Sequence, residues 1–163
     1  MRTHHIPDRA WHIVVHGYRL PVAASTLFDS DWLKATLHLR TGQGVVKRSL
    51  KFLLVEELER LGLWLERVRR QEPVDDLEMV DPALRFKLIT RNRIPFVKVI
   101  VGSDPKRRLV VDQPTDTAAL NACLAMVMEQ LERYPCRCAH PHGTGPADDA
   151  VVLLIQDPQP LAP

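Results

Sequence analysis

The sequence predicts an α+β domain: an antiparallel sheet of about six to seven strands with two amphipathic helices packed on one face. Three observations carry that prediction. Short runs in which apolar and polar residues alternate with period two recur along the chain, the pattern of half-buried strands. Two longer stretches instead repeat their apolar residues at steps of three and four, the pattern of helices with one buried stripe. The order is strands, helix, strands, helix, with tight turns between strands rather than helical crossovers, which favours antiparallel over parallel pairing. At 163 residues, 45% hydrophobic and 26% charged, the chain suits one sizeable core. The expected organisation is a flexible lead-in at 1–10, a single domain at 11–135 and a Pro/Gly-rich, mostly flexible tail at 136–163.

Trp11, Ile13 and Val15 alternate with His12, Val14 and His16 and form the first strand, ending near Gly17. After an irregular connection containing Pro21 and Asp29, Leu33, Ala35, Leu37 and Leu39 alternate strictly with Lys34, Thr36, His38 and Arg40. Thr41-Gly42-Gln43-Gly44 is a hairpin turn into a third strand, with Val46, Leu50 and Phe52 expected on the core side and Lys47, Ser49 and Lys51 on the other. That strand runs straight into the first helix, expected over 53–71. Leu54, Leu58, Leu61, Leu65 and Val68 form its stripe, widened by Val55 and Trp64, while its glutamates, Glu57 among them, point away. Burying the five stripe residues contributes at most about 8 to 15 kcal/mol before ordering entropy is counted.

Pro73 and Asp75-Asp76 stop this helix. A short strand near 77–80 follows. Leu84, Phe86 and Leu88, then Val97, Val99 and Val101, predict a second hairpin turning at 91–93. Gly102-Ser103-Asp104-Pro105 turns the chain into a strand over 108–112. Thr115 or Asp116 should cap the second helix, which carries Leu120, Cys123, Leu124, Val127, Met128, Leu131 and Tyr134 on one side and ends at Pro135. In the tail, residues 151–155 are the one apolar run, and an edge strand is a natural use for it.

Composition narrows the function classes. A formal charge of +2 from 22 basic and 20 acidic residues announces neither a nucleic-acid nor a membrane partner. Three clustered cysteines suit a reducing compartment. No run approaches the ~18 apolar residues of a membrane span, and the N-terminus does not resemble a signal peptide, so a soluble cytoplasmic protein is expected. No P-loop, dinucleotide fingerprint, nucleophile elbow or zinc-protease helix is present, which favours a non-enzyme with no cofactor. Cys123, on the apolar side of a helix, reads as a buried structural thiol. Cys136, Cys138, His140 and His142 could ligate zinc, but their tight alternation disfavours enclosing one ion, so no metal is assigned and they stand as the weaker alternative. His12 and His16 lie roughly 13 Å apart on an extended strand, too far to share an ion. With Leu37, Leu50, Phe86 and Val99 facing the helices, Lys34, His38, Arg40, Lys47, Lys51, Arg85, Lys87 and Lys98 would make a basic outer face, with Trp32 at its edge. Such a face is either simply solvated or binds a protein or RNA.

Several stretches, in order, resemble the WapI-type immunity proteins, antidotes encoded beside bacterial polymorphic or contact-dependent toxins. They are Gly17-Tyr18 with Pro21; Asp29-Ser30-Asp31-Trp32-Leu33, against a family pattern D-x-[ND]-W-L; and Leu54, Leu58-Glu59-Arg60-Leu61 and Trp64-Leu65 in the helix. Leu77, Pro82, Leu84-Arg85-Phe86, Leu131 and Tyr134-Pro135 continue the series. The resemblance covers residues 11–135 and implies a non-catalytic protein that binds and neutralises a cognate toxin. On that reading Trp32 and the basic residues above are the candidate partner-binding set. The alternative is an RNA-binding module using the same face.

Overall fold

A computed structural model describes residues 9–20, 31–81 and 84–137. The strands are β1 (Trp11–Tyr18), β2 (Trp32–Thr41), β3 (Gly44–Leu54), β4 (Leu77–Glu78), β5 (Leu84–Arg91), β6 (Ile94–Val101) and β7 (Leu109–Pro114); α1 (Val55–Arg69) follows β3 and α2 (Thr117–Arg133) follows β7. All pairings are antiparallel, but the strands form two sheets, β1-β2-β3 and β4-β5-β6-β7, in place of the single sheet expected.

The reason lies at the junction of β3 and α1. Leu54 is both the last residue of β3 and the N-cap of α1, so the chain leaves the first sheet without a strand returning beside β3. The buried residues of α1, including Val55, Glu57, Leu58, Gly62, Trp64 and Leu65, spread over about 180° of its circumference at 100° per residue. One flat sheet covers a narrower stripe. Here α1 meets α2 as well as the sheets, with Gly62 at the crossing: a Cβ there would stand 3.4 Å from Val127 Cγ1, ordinary contact distance. A single apolar cluster draws on both sheets and both helices. Phe86 of β5 takes Trp11 of β1 edge-on at 5.2 Å and Trp64 of α1 at 6.4 Å, joining the sheets through aromatic contact.

Alternation is kept on β2, where Leu33, Ala35, Leu37 and Leu39 are buried, and on the second sheet, where Phe86, Val97 and Val99 are fully buried. On β3 it breaks. Leu33 pairs with Leu53 and Ala35 with Leu50, so Lys51 and Phe52 together face Lys34 in a β-bulge. The inserted residue reverses the parity beyond it: Leu53 is buried and Phe52, expected inside, is 46% exposed. On α2, Met126 and Gln130 are buried and Met128 is exposed: the buried face is rotated about the helix axis from the expected stripe, and Gln130 meets β1 by accepting from Val15 N–H. Asp116 caps α2, accepting from Ala119 N–H at 2.9 Å.

Helix α1 ends in a Schellman arrangement. Gln71 N–H donates to Val68 O and Glu72 N–H to Arg67 O, both at 3.0 Å, and Gln71 adopts φ 58°. A side chain is strained in that left-handed region, so Gln71→Gly should stabilise the protein by about 0.5–1 kcal/mol, read as a higher urea midpoint at unchanged m-value. An unchanged or lower midpoint would show that the Gln71 side chain makes a compensating contact.

Candidate functional site

The division into two sheets also divides the expected basic face. Trp32, Lys34, His38, Arg40, Lys47 and Lys51 belong to the first sheet; Arg85, Lys87 and Lys98 belong to the second. On the second sheet the cations are matched by carboxylates. Arg85 pairs with Glu78 at 2.9 Å, Lys87 with Asp76, and Lys98 lies directly across the ladder from Asp112, which itself takes Arg91 at 2.6 Å. These three residues therefore do not extend the basic surface of β2 and β3. The pairing acids come from β4, its preceding loop and β7, and it is the pairing of these strands, not alternation within one, that brings them beside the basic residues.

The first sheet keeps its positive character. His38 and Lys47 are cross-strand partners, and Lys34, Arg40 and Lys47 are exposed. At one end the bulge brings Phe52 beside Trp32, their rings T-shaped with centroids 5.9 Å apart. Arg19, Leu20, Trp32, Lys34 and Phe52 line an open depression of about 600 Å³ there. Arg19 is fixed across it, its Nη1 donating to Lys51 O at 2.5 Å. Phe52 was hidden from alternation, although the unbroken run Phe52-Leu53-Leu54 is the sequence sign that parity fails.

At the other end, His12 and His38 face each other with ring centroids 5.9 Å apart, and His16 Nε2 is 2.8 Å from Thr36 Oγ1. The two histidines expected on one face are thus each engaged with β2 rather than with one another. Burial, together with Arg9 and His38, pulls His12 below the usual histidine range against an opposing pull from Glu129; burial, with Lys47 and His16, does the same to His38. The unfolded chain then takes up protons near pH 6.5 and the folded chain only below it, so acidification through that region favours unfolding. This contribution is complete at neutral pH, is lost progressively below about pH 6.5, and levels off once both rings are protonated in the folded chain. Melting temperature followed from neutral to mildly acid pH should fall less steeply in the His12→Gln His38→Gln variant. Equal slopes in the two proteins would assign the acid sensitivity to other groups.

Asp31, adjoining Trp32 in the D-x-[ND]-W-L stretch, is buried. Its Oδ1 accepts from Arg137 N–H at 2.7 Å, its Oδ2 lies 3.1 Å from Cys136 Sγ, and its backbone oxygen accepts from Val55 N–H at 3.2 Å. The Arg137 guanidinium stacks on Tyr18, 3.2 Å from the ring centroid, and Tyr18 Oη donates to Pro135 O. The start of the expected tail is therefore held against β1 and β2. Cys138, His140 and His142 lie outside the described residues, as do Pro21, Asp29, Ser30 and Pro82; no metal-ligand cluster occurs among the described residues. Cys123 is fully buried, and burial pushes its thiol up to about 11, far from a nucleophilic thiolate at neutral pH.

Two further surface features were not read from the sequence. Between the outer faces of α1 and α2 lies an open apolar groove of about 700 Å³, with Leu63 68% and Met128 51% exposed. Between β3 and the end of the second sheet is a cleft of about 440 Å³, whose lining includes Arg48, Leu50, Asp81, Leu84 and Arg107. Among the described residues, no helix is long and apolar enough to cross a membrane.

No curated protein and no solved structure matches the chain. The profile of the immunity protein WapI-like family matches residues 4–135, which takes in both sheets, both helices and the Asp31-Trp32 corner. By that match over most of its length, the chain belongs to the WapI-like immunity protein family.

Proposed function

We propose that this protein acts in the cytoplasm as a non-catalytic antidote, neutralising a cognate bacterial toxin by stoichiometric binding. Family membership supports an immunity role and a toxin partner. The observation that carries the choice of surface is the Trp32–Phe52 pair, a half-buried tryptophan beside an exposed phenylalanine on a sheet face rich in cations. Aromatic residues flanked by cations are typical binding anchors. Lys34, His38, Arg40 and Lys47 then steer an acidic partner surface onto the patch, raising the association rate in a salt-dependent way. Lys51 borders the same surface at the bulge, whereas the ion-paired Arg85 and Lys87, and Lys98 beside them, contribute little to it.

Co-expression with the toxin domain encoded beside it tests the proposal. Wild type should protect cells and copurify with the toxin as a stable complex. Trp32→Ala should fold normally yet bind the toxin about 30-fold or more weakly, the loss of a hot-spot residue. Protection without a complex would overturn direct neutralisation. Should Leu63→Asp abolish binding while Trp32→Ala does not, the groove between the helices is the contact surface instead. Single-stranded RNA binding on the same face, abolished by Trp32→Ala, with no toxin complex would favour the nucleic-acid function.

A further inference from the structure

The two edges of the first sheet are treated differently. Ala10 N–H, just before β1, donates to Gln113 Oε1 at 2.5 Å and Val15 N–H, on β1, to Gln130 Oε1 at 2.9 Å, so β7 and α2 supply acceptors to that edge. The opposite edge is β3, the longest strand. At its bulge Lys51 N–H donates to Asp81 Oδ2 at 3.3 Å. Along residues 45–50 no described side chain accepts from an amide of this strand, and no described strand pairs on its outer side. A long open edge is a template for another strand. This one faces a cleft with Leu50, Leu84 and Val101 in its lining, and with Arg48 and Arg107, neither of which has an ion-pair partner among the described residues.

The chain carries a segment of matching chemistry. Residues 151–155, Val-Val-Leu-Leu-Ile, have high strand propensity and are flanked by Asp148 and Asp149 on one side and Asp157 on the other. They lie beyond the region that matches the family. The approach is short. Arg137 is fixed to Asp31, whose backbone oxygen holds Val55 N–H, so the chain departs beside the C-terminal end of β3. Residues 138–150 reach up to about 45 Å when extended, more than the ~36 Å length of β3. Every register along the edge is within range.

We infer that residues 151–155 add to the outer edge of β3 as an extra strand, their apolar side chains covering the cleft and their flanking aspartates meeting Arg48 and Arg107. The added strand satisfies the edge amides and removes an apolar run from solvent. The inference is independent of toxin binding.

Hydrogen exchange of the full chain tests it. Amides in peptides covering residues 45–50 should exchange about tenfold or more slowly in wild type than in the full-length Leu153→Asp Ile155→Asp variant, while α1 and the second sheet stay unchanged. Arg48→Glu should reduce the protection partway. Equal exchange in wild type and the double variant overturns the inference. So does protection that grows with protein concentration and tracks a dimer in native mass spectrometry, since the edge would then pair with a second copy. Unchanged exchange in α1 is the control for folding in each variant. If the double variant loses it, replacement of residues 151–155 by a Gly-Ser sequence of equal length gives the comparison, with the same two outcomes.

Discussion

Leu58→Asp should abolish the folded state, giving no cooperative melting transition and no near-ultraviolet aromatic signal. Leu58 is completely buried in the stripe of α1. The substitution removes a leucine's burial, about 2–5 kcal/mol, and leaves a carboxylate without a partner in the core, several kcal/mol more. A domain of this size has about 5–15 kcal/mol in total. The same change five residues along, Leu63→Asp, falls on a side chain 68% exposed and should cost well under about 1 kcal/mol, little more than a helix-propensity difference. Comparable melting curves for the two variants would mean that the buried face of α1 is misassigned.

Glu57→Ala should cost about 2–4 kcal/mol, an effect unusual for an acidic residue on a helix. Glu57 is 1% exposed; its Oε2 accepts from Leu54 N–H at 3.1 Å and its Oε1 from Val80 N–H. Leu54, as N-cap, has no side-chain acceptor to offer, so Glu57 makes the reciprocal half of a capping box by itself and ties α1 to the residues after β4. Removing it leaves two part-buried N–H groups without their acceptor. Glu57→Gln, which keeps one amide oxygen, should lie between alanine and wild type in urea denaturation. A loss below about 0.5 kcal/mol for alanine would show that water reaches both amides.

The alternation on β2, β5 and β6 and the three-four spacing on α1 were legible because each depends on neighbouring residues alone. Trp32, Lys34, His38, Arg40 and Lys47 were placed correctly on one outer surface for the same reason. Phe52 was not, because a bulge inserts one residue and a single insertion inverts every later side chain. Glu57 offers no distinctive local sign: its partners, Leu54 N–H and Val80 N–H, are backbone groups, the second contributed from beyond the helix. Arg85, Lys87 and Lys98 were assigned correct strand faces, but on a sheet separate from β2 and β3.

By itself the sequence determined the class of the fold, the identity and order of its helices and its main hairpins, and the family pattern running through Asp31-Trp32-Leu33, since periodicity and turn chemistry are short-range properties. Tertiary structure decided the rest. Among the described residues, seven strands become two sheets because α1 is buried over half its circumference and must meet more than one surface. The positive surface contracts to the first sheet because strand pairing sets Glu78, Asp76 and Asp112 beside Arg85, Lys87 and Arg91 on the second. Asp31 becomes a buried anchor because Cys136 and Arg137, over a hundred residues later, return to it. Burial and ion pairing depend on which distant segments arrive, and one-dimensional spacing does not encode that arrival.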